Sequence, residues 1–147
     1  MRMCSIASGS SGNCIYIGDE DTHILIDAGI SRKAIETGLK ELELSGNDLD
    51  GIFITHEHSD HVKGLGVMAR KYHIPMYGTK ETIEAVKAIS SLGNIGEELF
   101  HPVAAEEELQ LKTLTVKPFK VSHDGANPVA YCVESGEKKA AVATKHQ

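Results

Sequence analysis

The stretch Ile52-Phe53-Ile54-Thr55-His56-Glu57-His58-Ser59-Asp60-His61 decides how the rest of the chain is read. Ile52-Phe53-Ile54 is apolar and β-branched-rich, and it reads as a buried strand. After Thr55 come four residues of ligand type in six positions: His56, His58, Asp60 and His61. In extended backbone, residues i and i+2 project to the same side, so His56 and His58 can converge on one point. Asp60 and His61 follow as the chain turns and can reach a second point close by. Neutral imidazole and carboxylate are ligands that zinc, manganese and iron accept. A solvated loop that happens to contain histidine is the bland alternative. It would win for one histidine, but not for four such residues directly after a buried strand. In α/β folds, the end of a buried strand is where chemistry is usually placed.

Working outward, 147 residues with 41% hydrophobic content predict a single domain. The formal net charge of −6, with no basic run, gives no sign of non-specific polyanion binding. No segment is long and apolar enough to span a membrane, and the N-terminus has no apolar signal region. Cys4, Cys14 and Cys132 are odd in number and form no C-x-x-C pair. They fit a reduced, cytoplasmic protein in which they serve as small buried hydrophobes.

Upstream of the motif, Met3 to Ala7 and Cys14 to Ile17 read as a hairpin around Ser8-Gly9-Ser10-Ser11-Gly12-Asn13. Such a Gly/Ser turn can cradle phosphate through its amides or simply reverse the chain; it lacks the Lys-Ser/Thr of a P-loop. Thr22 to Asp27 is a third strand. Asp27 closes it, and a buried carboxylate needs partners. It either accepts from a ligating imidazole or nearby backbone, or caps the helix that follows. Ser31 is the expected N-cap of a helix to about Leu42, with Ala34, Ile35, Leu39 and Leu42 on its buried face. His23 reads as a surface residue.

Downstream, Val62, Leu65, Met68, Ala69 and Tyr72 recur at helical spacing and predict one helix to about Tyr72. His73 ends it. Pro75 to Tyr77 is a short strand, and Thr79 caps a third helix bearing Ile83, Val86 and Ile89. Strand then helix, repeated, places helices on a sheet. His101 reads as a loop residue and Glu106-Glu107-Glu108 as a solvated run. Leu111 to Ser122 alternates through Leu114, Val116, Phe119 and Val121 and ends at Ser122-His123-Asp124. With His56 and His58, His123 would complete a three-imidazole site that leaves a position open for water. Val129 to Val133 and Lys139 to Thr144 read as a hairpin around Ser135-Gly136.

His56-x-His58-x-Asp60-His61 resembles the signature of the metallo-β-lactamase superfamily of two-metal hydrolases. The resemblance implies two divalent metal ions, with zinc the leading expectation and manganese or iron also admitted. His56, His58 and His123 would hold one ion, and Asp60 and His61 the other. Asp60 would also act catalytically by orienting the attacking water, and Asp27 would support the ligands from behind. The Ser8 to Asn13 turn, Val121 to Asp124 and Asn127 to Tyr131 are similar to the WalJ (YycJ) type subgroup. That likeness implies a turn beside the metal cleft, a DNA or other phosphodiester substrate, and exonuclease chemistry.

One departure stands out. Where the family has an aspartate bridging both ions, after a strand ending Ala-Thr, this chain has Lys145, followed by His146. A later site-two histidine has no counterpart before Gln147. The resemblance therefore implies an α/β (α+β) fold: a single, incomplete domain forming the N-terminal part of an αββα sandwich. A mixed sheet would carry helices outside and leave its inner face open to oligomerisation. Three alternatives stand beside the nuclease reading: a truncated, catalytically weak metal-binding fragment, a hydrolase of another ester or thioester, and a di-iron oxidoreductase.

Overall fold

Three strands open the chain, strand and helix then alternate as far as residue 102, and strands alone follow among the described residues; this change sets the layering. The computed structural model describes residues 1–121, 129–136 and 138–142. β1 (Arg2–Ala7), β2 (Cys14–Gly18) and β3 (His23–Ile26) form an antiparallel meander. β4 (Gly51–Phe53), β5 (Met76–Gly78) and β6 (Phe100–Pro102) extend the same sheet in parallel. The parallel steps carry helices between them: α1 (Arg32–Glu41), α2 (Ser59–Val62), α3 (Leu65–Tyr72) and α4 (Lys80–Lys87). β7 (Leu109–Leu111), β8 (Leu114–Lys120), β9 (Val129–Ser135) and β10 (Lys138–Val142) build a second, antiparallel sheet in the order β10-β9-β8-β7.

Two apolar layers result. Leu25, Ile52, Ile54 and Met76 meet Ile35, Leu39, Leu65 and Met68 between the first sheet and its helices. Ile17, Ile24, Ile26 and Phe53 meet Leu114, Val116, Val129, Tyr131 and Val133 between the two sheets. The inner face of the first sheet is thus covered by this chain's own residues, which corrects the expectation of an open inner face. An alternating strand pair with one apolar face buries that face on the nearest sheet.

The helix signals act locally and are found in place. Ser31 accepts from the Ala34 amide and Thr79 from the Thr82 amide, each capping its helix. Three details differ from expectation. Ala34 is exposed, and only Ile35 and Leu39 of α1 are buried. The helix expected after the motif is two helices, broken at Gly64. The Gly64 amide donates to Ala28 O at 2.7 Å, and a Cβ there would lie 2.0 Å from Ile30 O. In β8, Pro118 rather than Phe119 continues the inward phase of Leu114 and Val116, and Phe119 is 36% exposed.

Polar bonds close the sandwich at both ends. At one end, Asp19 accepts from the amides of Asp21 and Thr22 and from the hydroxyls of Thr113 (2.6 Å) and Ser135 (2.7 Å). Burial would raise this carboxyl, but those four donors hold it well below the usual carboxylate range. At the other end, Val129 N donates to Thr55 O at 3.0 Å, and Tyr131 Oη donates to Ile54 O at 2.7 Å. Beside them, the Asp27-Ala28-Gly29 loop lies on the motif, and Ala28 N donates to His61 O at 2.9 Å. A Cβ on Gly29 would fall 1.8 Å from Asp60 O.

Two stability predictions follow from these ends. Asp19→Ala should lower unfolding free energy near neutral pH by about 1–3 kcal/mol, read by urea denaturation. Because the folded-state carboxyl is depressed, its contribution is full above the unfolded value of about 3.9 and fades as pH falls below it. The gap between wild type and variant should therefore narrow in acid, and a constant gap would contradict the assignment. Gly29→Ala should cost about 2–3 kcal/mol, because backbone rather than a flexible side chain blocks the methyl. An unchanged denaturation midpoint would show that the loop has room to give.

Candidate metal centre

β4 is buried on both faces, and the chain leaves it through Ile54 and Thr55 into the histidines. Thr55, His56 and His61 are buried, while His58 is half-buried. The Asp60 side chain is 26% exposed, against 1% for His61. His58 occupies the N-cap position of α2 in extended backbone, so the chain turns at once into helix. That turn gathers the imidazoles. The His56 ring centroid lies 4.5 Å from that of His58 and 3.9 Å from that of His61.

Behind them stands Asp27, fully buried, with a left-handed φ of 66°. Aspartate tolerates this region better than most residues. Its Oδ1 accepts from Thr55 N at 2.8 Å. Its Oδ2 accepts from Thr55 Oγ1 at 2.6 Å and from His61 Nδ1 at 2.6 Å. The helix after it is capped by Ser31, so Asp27 is not that helix's cap. Burial raises the Asp27 carboxyl, and the bonds from His61 and Thr55 act against this. Burial alone would lower the His61 imidazole, but the bond and charge of Asp27 outweigh it and raise it.

The tautomers follow from the acceptor count. Asp27 already receives two donors from Thr55, so its third partner, His61 Nδ1, also donates. In the neutral ring, Nε2 then carries the lone pair. The Thr55 hydroxyl gives its proton to Asp27 and sits 3.1 Å from His56 Nδ1, from which it can accept. His56 Nε2 is then the basic nitrogen of that ring. One buried carboxylate thereby bears on two imidazoles, an arrangement common behind metal-binding histidines.

His61 Nε2 lies 3.4 Å from Asp60 Oδ2. Two lone-pair donors held this close, with further imidazoles alongside, suit a borderline divalent cation in chemical type. Among the described residues, no three His, Cys, Asp or Glu side chains already close on one point. His123, Lys145 and His146 lie outside the described residues. Three other histidines do not join the cluster. His23 bonds Tyr16 Oη at 2.6 Å, His73 is the left-handed C-cap of α3, and His101 stacks on Tyr77.

Two residues that the sequence did not single out belong here. Thr55 relays Asp27 to His56. Asn13, at the end of the Ser/Gly turn, donates from Nδ2 to Gly9 O (2.9 Å), Asp60 O (3.1 Å) and Asp60 Oδ2 (3.3 Å). Its backbone amide also donates to Asp60 O at 2.7 Å. The sequence signal was the turn itself, whose place against the motif depends on this long-range pairing.

Comparison with known proteins fits this geometry. The chain is 42% identical over 139 residues to an exodeoxyribonuclease YycJ of Bacillus anthracis, covering 95% of this chain and 52% of that protein. It is 39% identical over 126 residues to an exodeoxyribonuclease WalJ of Streptococcus pneumoniae, covering 86% and 47% respectively. The chain thus spans about half the length of these curated relatives. A solved B3 metallo-beta-lactamase with an active-site glutamic acid superposes with a TM-score of 0.77 at 13% identity, covering 99% of this chain and 62% of that one. The metallo-beta-lactamase SMB-1 gives 0.77 at 18% identity, covering 95% and 60%; likeness at such identity concerns the fold alone. The sequence profile of the metallo-beta-lactamase superfamily matches residues 7–143, and the chain belongs to that superfamily.

Proposed function

We propose that this chain carries the metal-binding part of a cytoplasmic, metal-dependent hydrolase that cleaves phosphodiesters in DNA as an exonuclease. The observation that supports the reading is the Asp27-centred network, which bonds His61 Nδ1 and, through Thr55, reaches His56, beside His58 and Asp60. Similarity to two proteins named exodeoxyribonucleases supports the substrate class. His56, His58 and His123 are assigned to one divalent ion, and Asp60 and His61 to a second, with zinc the first candidate. When bound, such ions lower the pKa of water and offset charge on a phosphodiester.

The chain's own residues do the remaining work. Asp27 holds the proton on His61 Nδ1 and so keeps Nε2 basic. Thr55 extends that control to His56. Burial of Thr55, His56 and His61 keeps bulk water from competing for these groups. Asp60 is the partly exposed carboxylate beside His61 Nε2, so it is the group assigned to orient water toward substrate and accept its proton.

The test uses the complete protein. Elemental analysis of wild type should find divalent metal, and His58→Ala should lose part of it. Unchanged metal content in that variant removes the ligand assignment. Asp60→Asn should reduce release of nucleotides from end-labelled DNA by more than about 100-fold, roughly 3 kcal/mol of barrier, with the fold retained. Activity within about threefold of wild type, less than roughly 1 kcal/mol, contradicts the role of Asp60. Asp27→Asn should weaken metal binding about 10-fold by freeing the imidazole it holds. Efficient thioester hydrolysis with no action on DNA would replace the substrate class while leaving the metal centre in place.

A further inference from the structure

We propose that Asn13 is a positioning residue for the Asp60–His61 pair, holding it ready for the second cation. This rests on the two-ion reading above. The side chain has two amide protons. One closes the local turn, because Nδ2 donates to Gly9 O at 2.9 Å while Oδ1 accepts from Gly9 N at 3.2 Å. The other proton is not needed for the turn. Asp60 O is already served by the Asn13 backbone amide at 2.7 Å. The second proton faces a cluster of acceptors across the chain: Asp60 O at 3.1 Å, Asp60 Oδ2 at 3.3 Å and His61 Nε2 at 3.4 Å.

The electrostatics explain why a donor belongs there. In the neutral ring with Nδ1 donating to Asp27, His61 Nε2 presents a lone pair toward the Asp60 carboxylate. Two electron-rich atoms 3.4 Å apart repel unless something positive lies beside them. The amide N–H supplies that in part. Both distances are long for hydrogen bonds, so the contact is weak and easily exchanged for a cation. Asn13 keeps its grip on Gly9 O and the Asp60 carbonyl through that exchange, so Asp60 stays in place instead of rotating into solvent. A purely local role for Asn13 would need none of the contacts across 47 residues of sequence.

Calorimetric titration of the metal-free complete protein with Zn2+, and separately with Co2+, tests this. Wild type should bind in two steps. Asn13→Ala should leave the first step within about twofold and weaken the second about 10-fold, as loss of a group supporting a ligand does. The Co2+ visible spectrum should change only in the second equivalent. Asn13→Ser keeps a hydroxyl for the turn but cannot reach Asp60, and it should give the same split with a near-normal melting temperature. Equal weakening of both steps together with a lowered melting temperature would make Asn13 merely structural and overturn the proposal. An unchanged or tightened second step would also overturn it, while leaving the two-ion reading intact. A wild-type protein that takes no second ion would overturn both.

Discussion

A carboxylate sealed from solvent has to be fully paired, and Asp27 meets that requirement through the amide and hydroxyl of Thr55 and the Nδ1 of His61. Removing a charge from water without partners costs several kcal/mol, so these bonds are conditions of burial. The left-handed backbone at Asp27 adds a modest cost, tolerated because the surroundings over-determine it. Meeting the acceptor demand of one side chain therefore fixes the end of β3, the end of β4 and the first turn of α2 relative to one another. The same bonds settle which nitrogen of His61, and through Thr55 of His56, stays basic. Structure and chemistry here share a single cause.

That arrangement requires close backbone approach, which explains the glycines beside it. Gly29 lies against the Asp60 carbonyl and Gly64 against Ile30, positions where a methyl group would strike main chain. The break between α2 and α3 is part of the same packing, since the Gly64 amide serves Ala28 O. From the other side, the second sheet bonds to the exit of β4 through Val129 and Tyr131. The motif is thereby clamped between two sheets and a turn. A site carried on such rigid elements loses little conformational entropy when it is loaded.

The fold alone leaves the reaction open. Lactamases superpose on this chain at 13% and 18% identity, while proteins named exodeoxyribonucleases match it at 42% and 39% over about half their length. One scaffold with one ligand pattern can serve several substrates, because substrate choice lies in the groups around the centre. Asn13 and the Ser/Gly turn it anchors lie against the motif through tertiary contacts.

The buried strand leading into the histidine cluster, the first hairpin, the caps at Ser31 and Thr79 and the final hairpin were legible in the sequence. Each depends on neighbours within a few residues or on a simple period. The family likeness was legible for the same reason, since its signature is contiguous. Other features were decided only in three dimensions. Asp27 could have been a helix cap or a partner of the imidazoles, and contacts spanning 28 and 34 residues decided it. Thr55 only follows the strand in sequence, and packing sets its hydroxyl between Asp27 and His56. Asn13 lies in a turn by sequence, and tertiary contact brings its side chain to Asp60, 47 positions away. The expectation of an open sheet face failed because alternation shows which residues seek burial, but not which surface covers them. Local sequence fixes propensity and phase, whereas hydrogen-bond partners distant along the chain are chosen by the packing of sheets and loops.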